Sequence, residues 1–323
     1  MMQIVLIGFC AGAASALLFA SVASGVFLSI LLFYLSPLPI MIAALGWSHW
    51  AGLAGTVVAS AALALAFQDY FFVTYLIGIG LPAWWLGYLA LLARPVAGTS
   101  DSFEWYPLGR LVLWSAIIGT LVIVAAIPHF GLDQASFQAA LKKAFASALS
   151  LQTDSPADAQ DPVDQTDLAS AIDAWVFLAP SVAAAVSTAM LLLNLWLAGW
   201  TVKVSGRLRR PWPNIPAMTF PASAPVLIGI AVACSFLPDL PGLISRILVA
   251  TLLVAYALLG FAVLHTITRD LKGRGILLAG TYAAVFVFGL PVLMMSLLGL
   301  LDAAFGLRAR FGLNRGPPSS PSP

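Results

Sequence analysis

"LSPLPIMIAALGW", residues 35–47, sets two prolines, Pro37 and Pro39, a few residues inside a membrane-length apolar run. Proline lacks a backbone donor and collides with the preceding turn, so a helix through it breaks or bends. A carbonyl freed by such a break finds no water inside lipid. The residue before each proline is also pushed from helical toward extended angles. The stretch therefore predicts a helix ending near Tyr34, an extended segment over 36–38 and a new helix with Pro39 in its first turn, where a missing donor does no harm. The Leu35 and Ser36 carbonyls must then face protein or a water-filled cavity. Ser36 becomes the candidate polar contact for a small solute, with Pro37 and Pro39 as part of the wall. An interfacial loop between two short helices is the plainer alternative.

The surrounding chain demands a membrane. Of its 323 residues 61% are apolar and 9% charged, with a mean hydropathy of +0.98, where a soluble domain carries about a quarter charged residues. Net charge is +2 and no basic stripe is interleaved with aromatics, which argues against a nucleic-acid partner. Cys10 and Cys234 lie within apolar runs, with no spacing for a disulfide framework or a metal. No Lys or Arg precedes the first apolar run, so that run reads as a span and not as a signal peptide.

A spanning helix needs about 20 apolar residues. Candidates run over 3–21, 24–46, 49–67, 70–92, 110–128, 174–201, 221–237, 243–267 and 276–301. The expected fold is all-α, a polytopic bundle of about 8–9 transmembrane helices with one short extracytoplasmic amphipathic helix. Four regions follow: a five-span membrane region (1–128), an outer loop (129–173), a second membrane region (174–305), and a basic, then Pro/Ser-rich and disordered tail (306–323).

Charge sets the orientation. Arg94 and Arg110, then Lys203, Arg207, Arg209 and Arg210, then Arg269, Lys272 and Arg274 fill three loops that fall on one side if the spans alternate. The positive-inside rule makes that side cytoplasmic. Loop 129–173 lands outside with seven aspartates. Within it Phe137, Leu141, Phe145 and Leu149 recur every four residues, the pattern of an amphipathic helix capping the bundle or lying on the membrane. The Asp-rich stretch after it reads as a solvated linker, lacking the glycine turn and closing glutamate of a hand-type calcium site. Nine crossings would put Arg308, Arg310 and Arg315 outside. Two half-spans hinged at Pro291 would return the tail to the cytoplasm, which its basic character favours.

Polar groups at membrane depth need a reason. Asp69, between the third and fourth candidates, is solvated on an outer turn or, if buried, a ligand or proton site. Asn194, in "LLLNLWLAGW", wants a partner on a neighbouring helix and is interhelical glue or a solute contact. Asp302 is expected to pair with Arg308 or Arg310. Gly12, Ala16 and Ala20, spaced by four, form a small-residue face that packs inside the bundle or docks another membrane protein. No HExxH, GxSxG, CxxC or phosphate-binding loop occurs, and the three histidines are scattered. Enzyme chemistry, a metal and a cofactor therefore have no residues to carry them.

"LSPLPIMIAALGW", "NLWLAGWTVKVSGRLRRPWP" and "LGLLDAAFGLRAR" together resemble the YybS-like family of predicted bacterial membrane proteins, over most of residues 1–313. The chain departs from that pattern at Gly306 and Leu307, where the family has an acidic-aromatic pair, and in its Asp-rich outer loop. The family is in turn similar to the S components of energy-coupling-factor transporters. That likeness implies a small-solute binding bundle without its own ATPase, docking through a face like Gly12, Ala16 and Ala20. A transport or uptake component is thus the first functional reading. A membrane scaffold for a cell-envelope assembly is the alternative.

Overall fold

The computed structural model describes the chain apart from residues 68, 96–102, 132, 151–161, 270 and 311–323. It is a polytopic all-α bundle, and among the described residues seven helical segments are long and apolar enough to cross a membrane. The first is α1 (Met2–Ala20) with a short 3₁₀ turn after it. The second is broken, into α2 (Phe27–Tyr34) and α3 (Pro37–Gly46). Then comes α4 (His49–Ala66). The fourth segment joins α5 (Asp69–Tyr75) through a π-helical turn (Leu76–Gly80) to α6 (Leu81–Leu91). A two-stranded hairpin pairs β1 (Ala93–Pro95) antiparallel with β2 (Phe103–Trp105), Arg94 opposite Glu104. The chain continues through α7 (Leu108–Phe130), α8 (Gln134–Ser150) and α9 (Pro162–Val204). It ends in α10 (Ala224–Cys234), α11 (Asp239–Ile267), α12 (Arg274–Phe288), α13 (Pro291–Phe305) and the single turn α14 (Leu307–Arg310).

Two ends can be told apart by their contacts. At one, Arg207 lies over the Trp47 ring, 4.7 Å from its centroid. Arg210 donates to the Ala90 and Tyr106 carbonyls there (3.2 and 2.9 Å), and Thr266 Oγ1 donates to the Pro216 carbonyl (3.3 Å). This is the basic end. At the other, Ile127 of α7, Phe137 of α8 and Leu243 and Ile247 of α11 close one apolar cluster, and Lys142 pairs with Asp173 (2.6 Å). The amphipathic helix expected around Phe137 is α8, and its apolar face caps the acidic end of the bundle.

Small residues set the closest packing in the first half. A Cβ added at Gly12 would come 2.5 Å from the Gly55 carbonyl oxygen of α4. Gly8 meets Ala51 and Ala54, and Gly12 meets Gly55 and Val58. Both helices therefore advance together, so α1 and α4 run parallel with backbones nearly touching, as small-residue faces permit.

Three expected spans differ in form. Residues 221–237 form only the 11 residues of α10, about 17 Å of helix against ~30 Å of hydrocarbon. Residues 174–201 belong to a 43-residue helix that starts at Pro162, so the second half of the Asp-rich stretch is helical. Residues 276–301 fall within two 15-residue helices, α12 and α13, folded back at Gly289 and Leu290. The return is fixed by a buried ion pair. Arg308 Nη2 lies 2.6 Å from Asp302 Oδ2 and also donates to the Met218 carbonyl (2.8 Å), while Nη1 donates to the Pro216 carbonyl (2.7 Å). Arg308 is thereby held at the basic end, beside the 215–218 turn.

Candidate functional site

The Pro37–Pro39 break sits where α1, α9 and the fourth segment meet. Leu35 and Ser36 form a tight turn, and Pro37 opens α3. The extended segment expected over 36–38 is absent: Ser36 is helical in angle (φ −59°, ψ −29°). The reason is local. Ser36 N and Ser36 Oγ both donate to the Phe33 carbonyl (3.1 and 2.7 Å), which is the acceptor that Pro37 deprives of an N–H. Leu38 N donates to the Leu35 carbonyl (3.0 Å), the acceptor that Pro39 leaves open. Those bonds outweigh the steric preference of a residue before proline.

The remaining carbonyls are met from neighbouring helices. Ser15 Oγ of α1 donates to the Ser36 carbonyl (2.6 Å). Ser15 has one proton, so the Tyr75 hydroxyl, 2.6 Å away, donates to Ser15 Oγ. Leu38 N has turned to Leu35, and Asn194 Nδ2 of α9 donates to the Tyr34 carbonyl (2.8 Å) as well as to its own Met190 carbonyl (2.8 Å). Ser15, Ser36, Tyr75 and Asn194 are all fully buried. A helix break at membrane depth is thus wrapped in hydrogen bonds from three sides.

The other irregularity lies close by. Pro82 opens α6, and just before it the wider π turn leaves the Gly80 carbonyl to accept from Thr56 Oγ1 of α4 (3.1 Å). Turns of this kind recur at functional positions. Between these two irregularities lies a cavity of about 270 Å³. Tyr34 and Pro37 wall it from the break, Thr74 and Gly78 from the fourth segment, His129 from α7 and Ser187 from α9. Most of its surface is carbon.

Of the residues singled out in the sequence, Pro37 lines this cavity. Ser36 and Pro39 do not, and Asn194 stands one turn beyond Met190 in its wall, holding Tyr34. Its amide oxygen is buried with no partner among the described residues. Asp69 opens α5, and its side chain lies outside the described residues. Gly12 and Ala16 are buried against α4 and Ala20 is half-buried, so that face is covered by the chain's own helix. Among the described residues no group of three His, Cys, Asp or Glu side chains could hold a metal. Sequence reasoning passed over Ser15, Tyr75 and the π turn. The run "LIGIGLP", residues 76–82, held the one available signal, two glycines just ahead of a proline.

Residues 13–303 match a family described as "Predicted membrane protein (DUF2232)". The chain belongs to this family. The match covers every residue that lines the cavity, from Phe19 in α1 to Leu191 in α9. No curated protein and no solved structure matches this DUF2232 chain.

Proposed function

We propose that this DUF2232 protein is a small-solute binding component of a transport or uptake system in the bacterial inner membrane, with its basic end in the cytoplasm. The cavity beside the broken second segment carries this reading. Its two irregular walls give backbone at membrane depth, where discontinuous helices in transporters place their sites. At about 270 Å³ it falls just under the ~300–1,000 Å³ of ordinary ligand pockets, and suits a small, largely apolar solute with one polar end toward Tyr34, Thr74, Ser187 or His129. The resemblance to YybS-like proteins and to S components of energy-coupling-factor transporters points the same way. With no nucleotide motif in the sequence, any ATP-driven step belongs to another chain.

The test is mass spectrometry of small molecules carried through purification by the wild type and by Ala126→Phe. Ala126 lines the cavity, and a ring there fills it. A compound bound near one per chain and lost in the variant supports the reading, while equal recovery from both proteins overturns it.

One observation favours a scaffold instead. No residue of α12 is buried, and Ile276, Phe286 and Val287 are 84%, 91% and 68% exposed. Such a helix either faces lipid or meets a partner. Recovery of one stoichiometric membrane partner, with no small molecule, would favour this second reading.

A further inference from the structure

Arg246 is a charged side chain inside a membrane span with no counter-charge among the described residues. It stands seven residues after Asp239, the first residue of α11, roughly 10 Å along the helix. The ion pairs among the described residues are Arg94–Glu104, Lys142–Asp173 and Asp302–Arg308, and none includes it. Its Nε is buried with no partner among the described residues, and its guanidinium carbon lies 4.7 Å from the Phe177 ring centroid of α9. The depth is interfacial, because its neighbours Leu243 and Ile247 pack on Phe137 of the capping helix α8.

An arginine that merely snorkels keeps its head in water. Here the head is stacked on a ring and one nitrogen is shut from solvent, which costs energy unless an anion meets it. Phe177 also walls a cleft of about 430 Å³ between α8 and α9, with Lys142 and Asp173 at its rim. Asp173 neutralises Lys142, so among the described residues around this cleft Arg246 is the cation without an ion-pair partner. Beneath the cleft Phe177, Leu178 and Val182 are 48%, 48% and 45% exposed along α9, an apolar track fit for an acyl chain, and Trp175 beside them marks the interface.

We propose that Arg246 and Phe177 hold the phosphate of an anionic phospholipid in the leaflet at the acidic end, with its acyl chains along Phe177, Leu178 and Val182. A guanidinium suits this ligand because its planar fork can give two parallel hydrogen bonds to one phosphate. The site is separate from the cavity and independent of its role.

The experiment uses delipidated full-length protein in detergent, with thermal unfolding and native mass spectrometry as readouts. The probes are dioleoyl-phosphatidylglycerol, dioleoylglycerol with the same chains and no phosphate, and inorganic phosphate. The phosphatidylglycerol should raise the wild-type Tm by several degrees and appear as a single-lipid adduct, and the other two should do neither. Arg246→Gln should lose both responses, and Arg246→Lys, which keeps the charge but not the fork, should keep only part. If Arg246→Gln does not fold, Phe177→Leu reads the same stack and should weaken the response. An undiminished response in the variants that fold, or an equal response to dioleoylglycerol, overturns the site. A shift reproduced by inorganic phosphate overturns the lipid assignment and makes free phosphate the ligand.

Discussion

At the scale of single residues, the helix break is held by one hydroxyl more than by its prolines. Ser15 Oγ gives its proton to the Ser36 carbonyl and receives that of Tyr75, so Ser15→Ala orphans two buried groups at once. Tyr75→Phe orphans none, because Ser15 keeps its bond to Ser36. Interhelical hydrogen bonds in membranes average about 0.6 kcal/mol, with the largest near 1.7, and an orphaned buried group costs ~1–3 kcal/mol. Ser15→Ala should therefore cost about 2 kcal/mol in detergent unfolding and Tyr75→Phe less than about 1. The double variant should be no less stable than Ser15→Ala alone, since the second change removes the stranded phenol hydroxyl. A double variant that loses the full sum would show the two groups acting independently. None of this pairing was legible in the sequence. Asn194 was visible as a deep amide needing a partner, but the Tyr34 carbonyl it serves is freed only by Leu38 turning to Leu35, which a linear reading does not contain.

At the scale of elements, the position of the break could be read from Pro37 and Pro39, and its geometry could not. Sterics before proline predict extended backbone, yet the Ser36 hydroxyl supplies the Phe33 carbonyl with a donor that the next residue lacks. Both prolines stand in the first turn of α3, where a missing N–H is one of the orphans of any helix start. Replacing both with alanine should leave stability within about 1 kcal/mol, while relaxing the wall that Pro37 gives the cavity. Solute retention should fall without loss of folding, and retention at the wild-type level would remove the break from the site.

The capping helix α8 yields a prediction from its first turn. Asp133 accepts from Ser136 N and from Ser136 Oγ (2.8 Å each). The backbone bond, then the hydroxyl, holds its carboxyl below the ordinary 3.8. A lowered folded value means that the cap contributes fully above the ordinary value and is lost as pH falls through the lowered one. Amide exchange in the first turn of α8 should thus be flat from pH 7 to about pH 4, after correction for intrinsic rates, and rise below it. Asp133→Asn, which keeps a side-chain acceptor at the cap, should abolish that rise. A rise of equal size in Asp133→Asn would assign the acid sensitivity elsewhere.

At the scale of the molecule, charge placement predicts the alternation of the ends, and hydropathy marks nine apolar runs where seven helical segments among the described residues are long and apolar enough to cross. The apolar run over 276–301 holds enough residues for one span, and only Gly289 and Pro291 hint that it folds back. What decides the return lies ninety residues away in sequence, where the Pro216 and Met218 carbonyls accept from the Arg308 guanidinium that also pairs with Asp302. Burying this ion pair is tolerable because its donors are so fully met, and breaking a buried pair by removing one partner costs about 3–5 kcal/mol. The fold-back therefore puts Arg308 at the same end as the Pro216 and Met218 carbonyls. In a background lacking Cys10 and Cys234, single cysteines at Lys143, Ser205 and Ala309, all exposed positions, report three surfaces. With an impermeant thiol reagent added to intact cells, the cysteine at 143 should label, and those at 205 and 309 should label only after lysis. Labelling at 309 in intact cells would mean that α12 and α13 together make one crossing and that Arg308 does not reach Pro216 in the membrane. Labelling at 205 with protection at 143 would invert the whole bundle and place its basic end outside.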